Sequence, residues 1–242
     1  MLTLEQKMER WEDQRAIKNL MGKYANLLIL NREGDIYGML WSASEDVCLG
    51  LNDGWYRGQA AVRGYYAACV DRNMLVAKLL RDRFPAQLGG KSDEEIYGIG
   101  PMKVKPMYTP VIEVAEDGRT AKGLWSCWGA HNDVESCGPV ARWSWGFFAV
   151  DFIREDGQWK IWHMQNTNDI DSICGQSWGL PEQSLPEDPA FAELAGFEYP
   201  AFTEREVLRA AYSPVRPLTK TPRIPEPYAT FGETFSYAEK EA

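Results

Sequence analysis

The chain holds only two histidines, His131 and His163, in a stretch from Thr120 to Thr167 that also carries most of its ten tryptophans. Imidazole is the side chain whose ordinary pKa suits proton transfer near neutral pH. If the loop Glu135 to Gly138 closes a hairpin, His131 stands opposite Arg142. A guanidinium there favours the neutral imidazole, a usable general base. Arg142 itself sits on an otherwise apolar strand, where a charge is costly unless paired or turned toward a ligand oxygen. Tyr24 closes an apolar helical stripe; its phenol either hydrogen-bonds to developing charge or packs with the hydroxyl satisfied. His163 is a second candidate proton carrier, with a buried core histidine as the plain alternative. The two rings lie about eight residues apart along the strands, on the order of 26 Å, too far for a dyad. Tyr56 and Arg57 before the Gly58 turn, with Tyr65, Trp125, Phe148 and Gln165, complete the set as expected substrate contacts.

Several chemistries are disfavoured. A net charge of −9 with a pI near 4.9 argues against nucleic acid, which needs a basic footprint. The five cysteines (48, 69, 127, 137 and 174) show no C-x-x-C spacing and read as free thiols of a reducing cytoplasm. Cys127 is near His131 but lacks the setting of an activated nucleophile. Two distant histidines do not make a metal site. Gly98-Ile99-Gly100 is followed by proline and is no nucleotide fingerprint. No cofactor is expected. No run approaches the ~18 apolar residues of a membrane span, and the charged N-terminal segment is no signal peptide. A cytoplasmic protein without membrane contact is expected.

Positioning these residues needs helices first. Ile17, Leu20, Met21, Tyr24, Leu27 and Leu28 repeat at helical period within a helix from residue 4 to about 30, opened by a Thr3/Gln6 capping box. A short helix over 35–41 follows. Next come a hairpin around Asn52-Asp53-Gly54 and a third helix opened by Gly58. Residues 75–98 are mixed. Met102 to Val114 has strand character, limited by Pro106 and Pro110 to an edge or bulges.

From Thr120 three long strands form an antiparallel meander, its second turn marked by Asp156-Gly157. Pairing Glu155 with Gln158 sets Phe152 against Ile161, Val150 against His163 and Phe148 against Gln165. Closing the first hairpin sets Cys127 against Gly146 and Trp125 against Phe148. Alternation then puts Trp125, His131, Arg142, Phe148, His163 and Gln165 on one face, and Trp128, Trp143, Trp145, Phe147, Trp162 and Asn166 on the other. Both faces are aromatic. Helices are expected on one and a second subunit on the other, making the chain a homo-oligomer (dimer or trimer). Residues 1–170 read as the folded domain. Residues 171–242 are proline-rich, with one helical run near 203–211. They read as an arm anchored on the domain or a neighbouring subunit by Tyr228, Phe231, Phe235 and Tyr237.

Helix, short helix, hairpin, helix and a long sheet resemble the SnoaL-like group of the nuclear transport factor 2-like superfamily, over roughly residues 10–168. The resemblance rests on Ile17-x-x-Leu20-x-x-x-Tyr24, Tyr56-Arg57-Gly58-Gln59-Ala60-Ala61-Val62, Thr120-Ala121-Lys122-Gly123-x-Trp125 and Asp156-Gly157-Gln158-Trp159-Lys160-Ile161. It implies an α+β fold in which a strongly curved antiparallel or mixed sheet wraps the N-terminal helices as a cone-shaped barrel, followed by the long C-terminal arm. Within the group, scytalone dehydratases offer the nearest echo: Tyr24 looks like their first-helix tyrosine and His131 like their late-strand histidine. Two departures stand out. The aspartate expected after the tyrosine is Ala25, and Lys103, Lys105 and Pro106 occupy the region of the partner histidine. Diarylpropane lyases, which remove formaldehyde without a cofactor, are a compatible branch.

The expected activity is therefore that of a cofactor-independent lyase, a dehydratase or a formaldehyde lyase, acting on a small aromatic or polycyclic hydroxylated compound in a Trp-lined cone. Isomerase or cyclase chemistry on a similar ligand is one alternative. A non-catalytic binding or assembly module is the other, because the fold hosts many functions.

Overall fold

The computed structural model describes residues 3–240. Helix α1 (Leu4–Ile29) starts at the expected capping box: Thr3 Oγ1 accepts from the Gln6 amide at 3.2 Å and Gln6 Oε1 from the Thr3 amide at 3.0 Å. Its buried stripe is Ile17, Leu20, Met21, Tyr24 and Leu27. Asn31, with φ 52°, ends the helix and leads into α2 (Glu33–Leu40). Strands β1 (Cys48–Leu51) and β2 (Gly54–Arg57) form the expected hairpin. At Gly58 the backbone takes φ 84°, a conformation glycine adopts freely, and α3 (Gln59–Arg83) begins. It runs well past the point where the sequence turns mixed. Two single-turn helices, α4 (Pro85–Leu88) and α5 (Asp93–Ile96), complete the helical layer.

Strands β3 (Met102–Val104) and β4 (Met107–Val114) both lie antiparallel to β5 (Thr120–Glu135). Their ladder skips between Tyr108 and Val111, where Pro110 has no amide hydrogen to donate. The meander of β5, β6 (Gly138–Glu155) and β7 (Gln158–Ile173) is the spine of an eight-stranded mixed sheet, order β3-β5-β6-β7-β1-β2-β8, with β4 also on β5. Strand β1 runs parallel to β7, and β8 (Glu204–Arg205) extends β2. The sheet curls without closing, so that α1 touches β3, β4 and β7 together.

The β5–β6 register is the expected one, with His131 opposite Arg142, Cys127 opposite Gly146 and Trp125 opposite Phe148. The β6–β7 register departs from expectation. Glu155 pairs with Gln158 and Phe152 with Ile161, but Asp151 then meets His163, leaving Trp162 as an extra residue. Beyond this bulge Val150 faces Met164, Ala149 faces Gln165 and Phe148 faces Asn166. A one-residue slip turns every following side chain over. His163 and Gln165 therefore leave the helix-covered face and Asn166 joins it. A second bulge, between Trp145 and Gly146, leaves Asp169 over and reverses the alternation again before Asp171.

The concave face buries Trp125, Phe148, Val150, Phe152, Ile161 and Met164 against the helices. Each large apolar side chain removed from water there contributes roughly 1.5–3 kcal/mol. Part of the convex face is covered by the chain's own C-terminal segment rather than by a second subunit. Leu124 and Ala149 pack on Tyr237, with Phe147 and Phe235 beside them. Beneath lies a fully buried ion pair, Lys122 Nζ to Asp151 Oδ1 at 2.6 Å. The rings of Tyr228, Phe231, Phe235 and Tyr237 surround that ammonium at 4.5 to 5.9 Å, a cation–π cage. Farther along, Trp128, Trp143 and Trp145 are exposed. The helical run expected over 203–211 does not form. There the chain instead adds strand β8, packs Leu208 on Trp55, and ties Arg209 to both Asp169 oxygens at 2.7 and 2.9 Å. No helix among the described residues is long and apolar enough to cross a membrane.

Candidate active site

Where the three long elements α1, α3 and β5 converge with α2, β3 and β7, a cavity of about 180 Å³ remains. Tyr24 and Leu28 reach it from α1, Glu33 from α2, and Tyr65, Tyr66 and Cys69 from α3. The sheet contributes Lys103, His131, Asp133, Asn166 and Asp171, the link between β3 and β4 adds Lys105, and Tyr199 lies at the rim. The expected indole walls are absent. Trp125 is in the core, edge-on to Phe152 at 6.0 Å, and tyrosines take its place in the lining.

His131 is half-buried. Its Nδ1 is buried without a hydrogen-bond partner, and its Nε2 lies 3.8 Å from Asp171 Oδ2. Burial is the main cause that lowers its pKa; Asp171 and Asp133 oppose the shift, while Lys105 and Arg142 add to it. Arg142, expected to be the cause, is the smallest of these. Its guanidinium is engaged by Asp171 at 2.6 Å, Glu135 at 3.1 Å and Glu182 at 2.8 Å. It therefore holds Asp171 in place beside the imidazole and is not among the groups lining the cavity.

Tyr24 is buried against Phe148, their ring centroids 5.6 Å apart. The Tyr66 hydroxyl donates to the Tyr24 oxygen at 3.3 Å, leaving the Tyr24 proton available to a ligand. Burial pushes both phenols well above their usual range, so both stay protonated. Lys103 is paired with Glu33 at 2.5 Å, and Asn73 donates to the other Glu33 oxygen. Lys105 has no hydrogen bond or ion pair among the described residues. Burial, followed by a smaller effect of Lys103, lowers its pKa against the pull of Cys127 and Asp171.

Of the expected residues, the cavity thus brings together Tyr24, Tyr65 and His131. Phe148 backs it from the core. Tyr56 is one layer behind, its hydroxyl donating to the Pro200 carbonyl at 2.9 Å and its ring on Tyr65 at 5.1 Å. Gln165 is on the convex face, donating to the Tyr237 and Glu239 carbonyls. Arg57 is at the surface, bonded to Glu204 at 2.6 Å and stacked on Trp55. His163 is also on the convex face, where its Nδ1 meets Asp151 Oδ2 at 3.0 Å and Trp162 stacks on its ring at 4.2 Å. Arg57 and His163 share an open groove with Ser236 and Phe231, remote from Tyr24 and His131. Reasoning from the sequence missed Glu33, Asp133, Asn166, Asp171 and the lysine pair. The alternation of Lys103 and Lys105 along a strand could have revealed that pair. Among the described residues no group of His, Cys, Asp or Glu converges as a metal site.

Residues 9–165 match the family of the SnoaL-like domain. Among solved structures, a protein of unknown function from Mycobacterium tuberculosis is 18% identical, over 78% of this chain and 88% of its own, with a TM-score of 0.45. A protein from Novosphingobium aromaticivorans proposed to be a scytalone dehydratase is 13% identical, over 71% of this chain and 93% of its own, with a TM-score of 0.49. The hexachlorocyclohexane dehydrochlorinase LinA-type3 from Novosphingobium barchaimii is 11% identical, over 74% and 99%, with a TM-score of 0.48. No curated protein matches the chain.

Proposed function

The chain belongs to the SnoaL-like family, and from that premise we propose that it is a cofactor-independent lyase acting by general acid–base catalysis on a small hydroxylated aromatic compound. The observation that carries this is the unpartnered Nδ1 of a half-buried, neutral imidazole in a cavity shared with a protonated, pre-bonded phenol. A base needs its lone pair free and its pKa at or below the working pH. His131 meets both conditions and takes the substrate proton. Tyr24, supported by Tyr66, donates to the oxygen on which charge develops. Water or formaldehyde then leaves. Isomerisation would use the same base and donor on a substrate without a leaving group.

The size of the hollow narrows the ligand. An engineered cavity of roughly 150 Å³ takes benzene, so about 180 Å³ suits one substituted ring. A polycycle would need Tyr199 to swing off Tyr65, on which it now stacks at 5.8 Å.

The test is turnover of metal-stripped protein on a panel of hydroxylated monocyclic aromatics, followed by release of water or formaldehyde. His131→Ala should lose nearly all activity, and a wild-type rate in that variant would overturn the assignment. Copies of the chain are also proposed to associate through the exposed Trp128, Trp143 and Trp145. Light scattering showing a monomer at all concentrations would dismiss that.

A further inference from the structure

We propose that Lys105 is an imine-forming amine, condensing with the carbonyl of a β-hydroxy aromatic ketone or aldehyde held beside His131. The proposal rests on the cavity being the substrate site and names the substrate class for it.

The backbone places Lys105 by a close crossing. Strand β3 pairs Lys103 with His131 and Val104 with Ala130. At Gly129 an added Cβ would fall 2.0 Å from the Val104 carbonyl oxygen and 3.2 Å from the Lys105 Cα, so only glycine permits this approach. Lys103 on β3 and Lys105 just past its end both reach the cavity, yet they are held differently. Lys103 is neutralised by Glu33. Lys105 is without an anionic partner among the described residues, although Asp171, Asp133 and Glu33 all line the same hollow. A half-buried ammonium with no counter-ion loses hydration that nothing replaces, which favours the neutral amine. A partly desolvated lysine without a counter-ion of its own is a setting that makes this side chain a nucleophile at neutral pH.

The chemistry is redox-neutral. The Lys105 Nζ lone pair adds to the carbonyl carbon, the oxygen takes a proton from Tyr24, and loss of water leaves a protonated imine. For dehydration, His131 removes the Cα proton to give the enamine, then returns it to the β-hydroxyl, which leaves as water as the enamine electrons form the Cα–Cβ double bond. For retro-aldol cleavage, His131 removes the β-hydroxyl proton, the Cα–Cβ bond breaks, and its electrons enter the imine as formaldehyde departs. In the cleavage branch protonated His131 gives its proton to Cα, restoring the imine; hydrolysis of the imine then frees the amine and returns a proton to Tyr24. One electron sink thus serves both leaving groups.

The experiment treats the full chain near neutral pH with benzaldehyde and sodium cyanoborohydride and maps benzylated peptides by mass spectrometry. Lys105 should be labelled at least about ten-fold faster than any exposed lysine, and K105R and K105M should each lose that label. Equal labelling across the exposed lysines, or none at Lys105, overturns the proposal. Thermal shift with benzyl alcohol, which binds but forms no imine, separates the two levels. Stabilisation by benzyl alcohol without a Lys105 adduct removes the amine and leaves the cavity assignment standing. Neither stabilisation nor adduct removes both.

Discussion

His131 Nε2 stands 3.8 Å from Asp171 Oδ2, near enough for the carboxylate charge to act on the ring but beyond hydrogen-bond range. Arg142 binds the other oxygen of the same carboxylate, yet among the charges acting on the ring Asp171 is the largest and Arg142 the smallest. Burial outweighs the pull of that carboxylate and lowers the imidazole pKa.

Activity should therefore depend on pH through an acid limb below the ordinary histidine value of about 6.5. The groups acting on the ring are Asp171, Lys105, Asp133 and Arg142. Asp171→Asn removes a charge that raises the histidine pKa and unmasks Arg142, which lowers it, so the limb should move to still lower pH. The pH profile of kcat/KM reads this directly, and a limb moving upward would contradict it. The same sign governs stability. A depressed folded-state pKa favours the fold above about pH 6.5 and loses that contribution as pH falls through the folded value.

Tyr24→Phe should lower kcat on the order of 10²- to 10³-fold, as loss of one oxyanion donor does. It also strands the Tyr66 hydroxyl, at a stability cost of roughly 1–3 kcal/mol. Phe148→Ala behind it should instead cost about 3–5 kcal/mol as a cavity. Steady-state kinetics beside urea denaturation distinguish the two.

Asp151→Asn should destabilise the chain by about 3–5 kcal/mol, because it breaks a fully buried ion pair with Lys122 by removing one charge of the two. Lys122→Met combined with Asp151→Leu should recover most of this, since both charges of the pair then leave the core together. Asp151 also accepts from the Tyr237 amide at 2.8 Å, so proteolysis near residues 228–238 should quicken in the single variant.

Gly129→Ala should cost about 1–3 kcal/mol and depress activity, since the atom it meets is backbone and cannot turn aside. Gly22→Ala, on a helix with open space around it, should instead stabilise by up to about 1 kcal/mol. Equal effects on the two thermal midpoints would refute the contrast.

Much of the frame was legible before any coordinates. The Thr3/Gln6 box, the Tyr24 stripe and the pairing of His131 with Arg142 follow from periods of 3.6 and 2 and from turn chemistry, all local properties. The site was legible only in part. Tyr24, Tyr65 and His131 meet as expected, whereas His163 and Gln165 lie on the far face because Trp162 is one residue too many for the ladder. No pattern of residue types announces such a bulge, and a single one reverses every later assignment.

The sequence by itself determined the element order, the β5–β6 register and the presence of one imidazole and one phenol able to share a hollow. Tertiary structure decided which other groups join them. Two bulges on β7 bring Asn166 and then Asp171 to the concave face, and the crossing at Gly129 brings in Lys105. Local pattern records what a side chain is and which way its own strand points it. Its neighbours depend on backbone contacts between residues distant in the chain, and only the packed fold settles those.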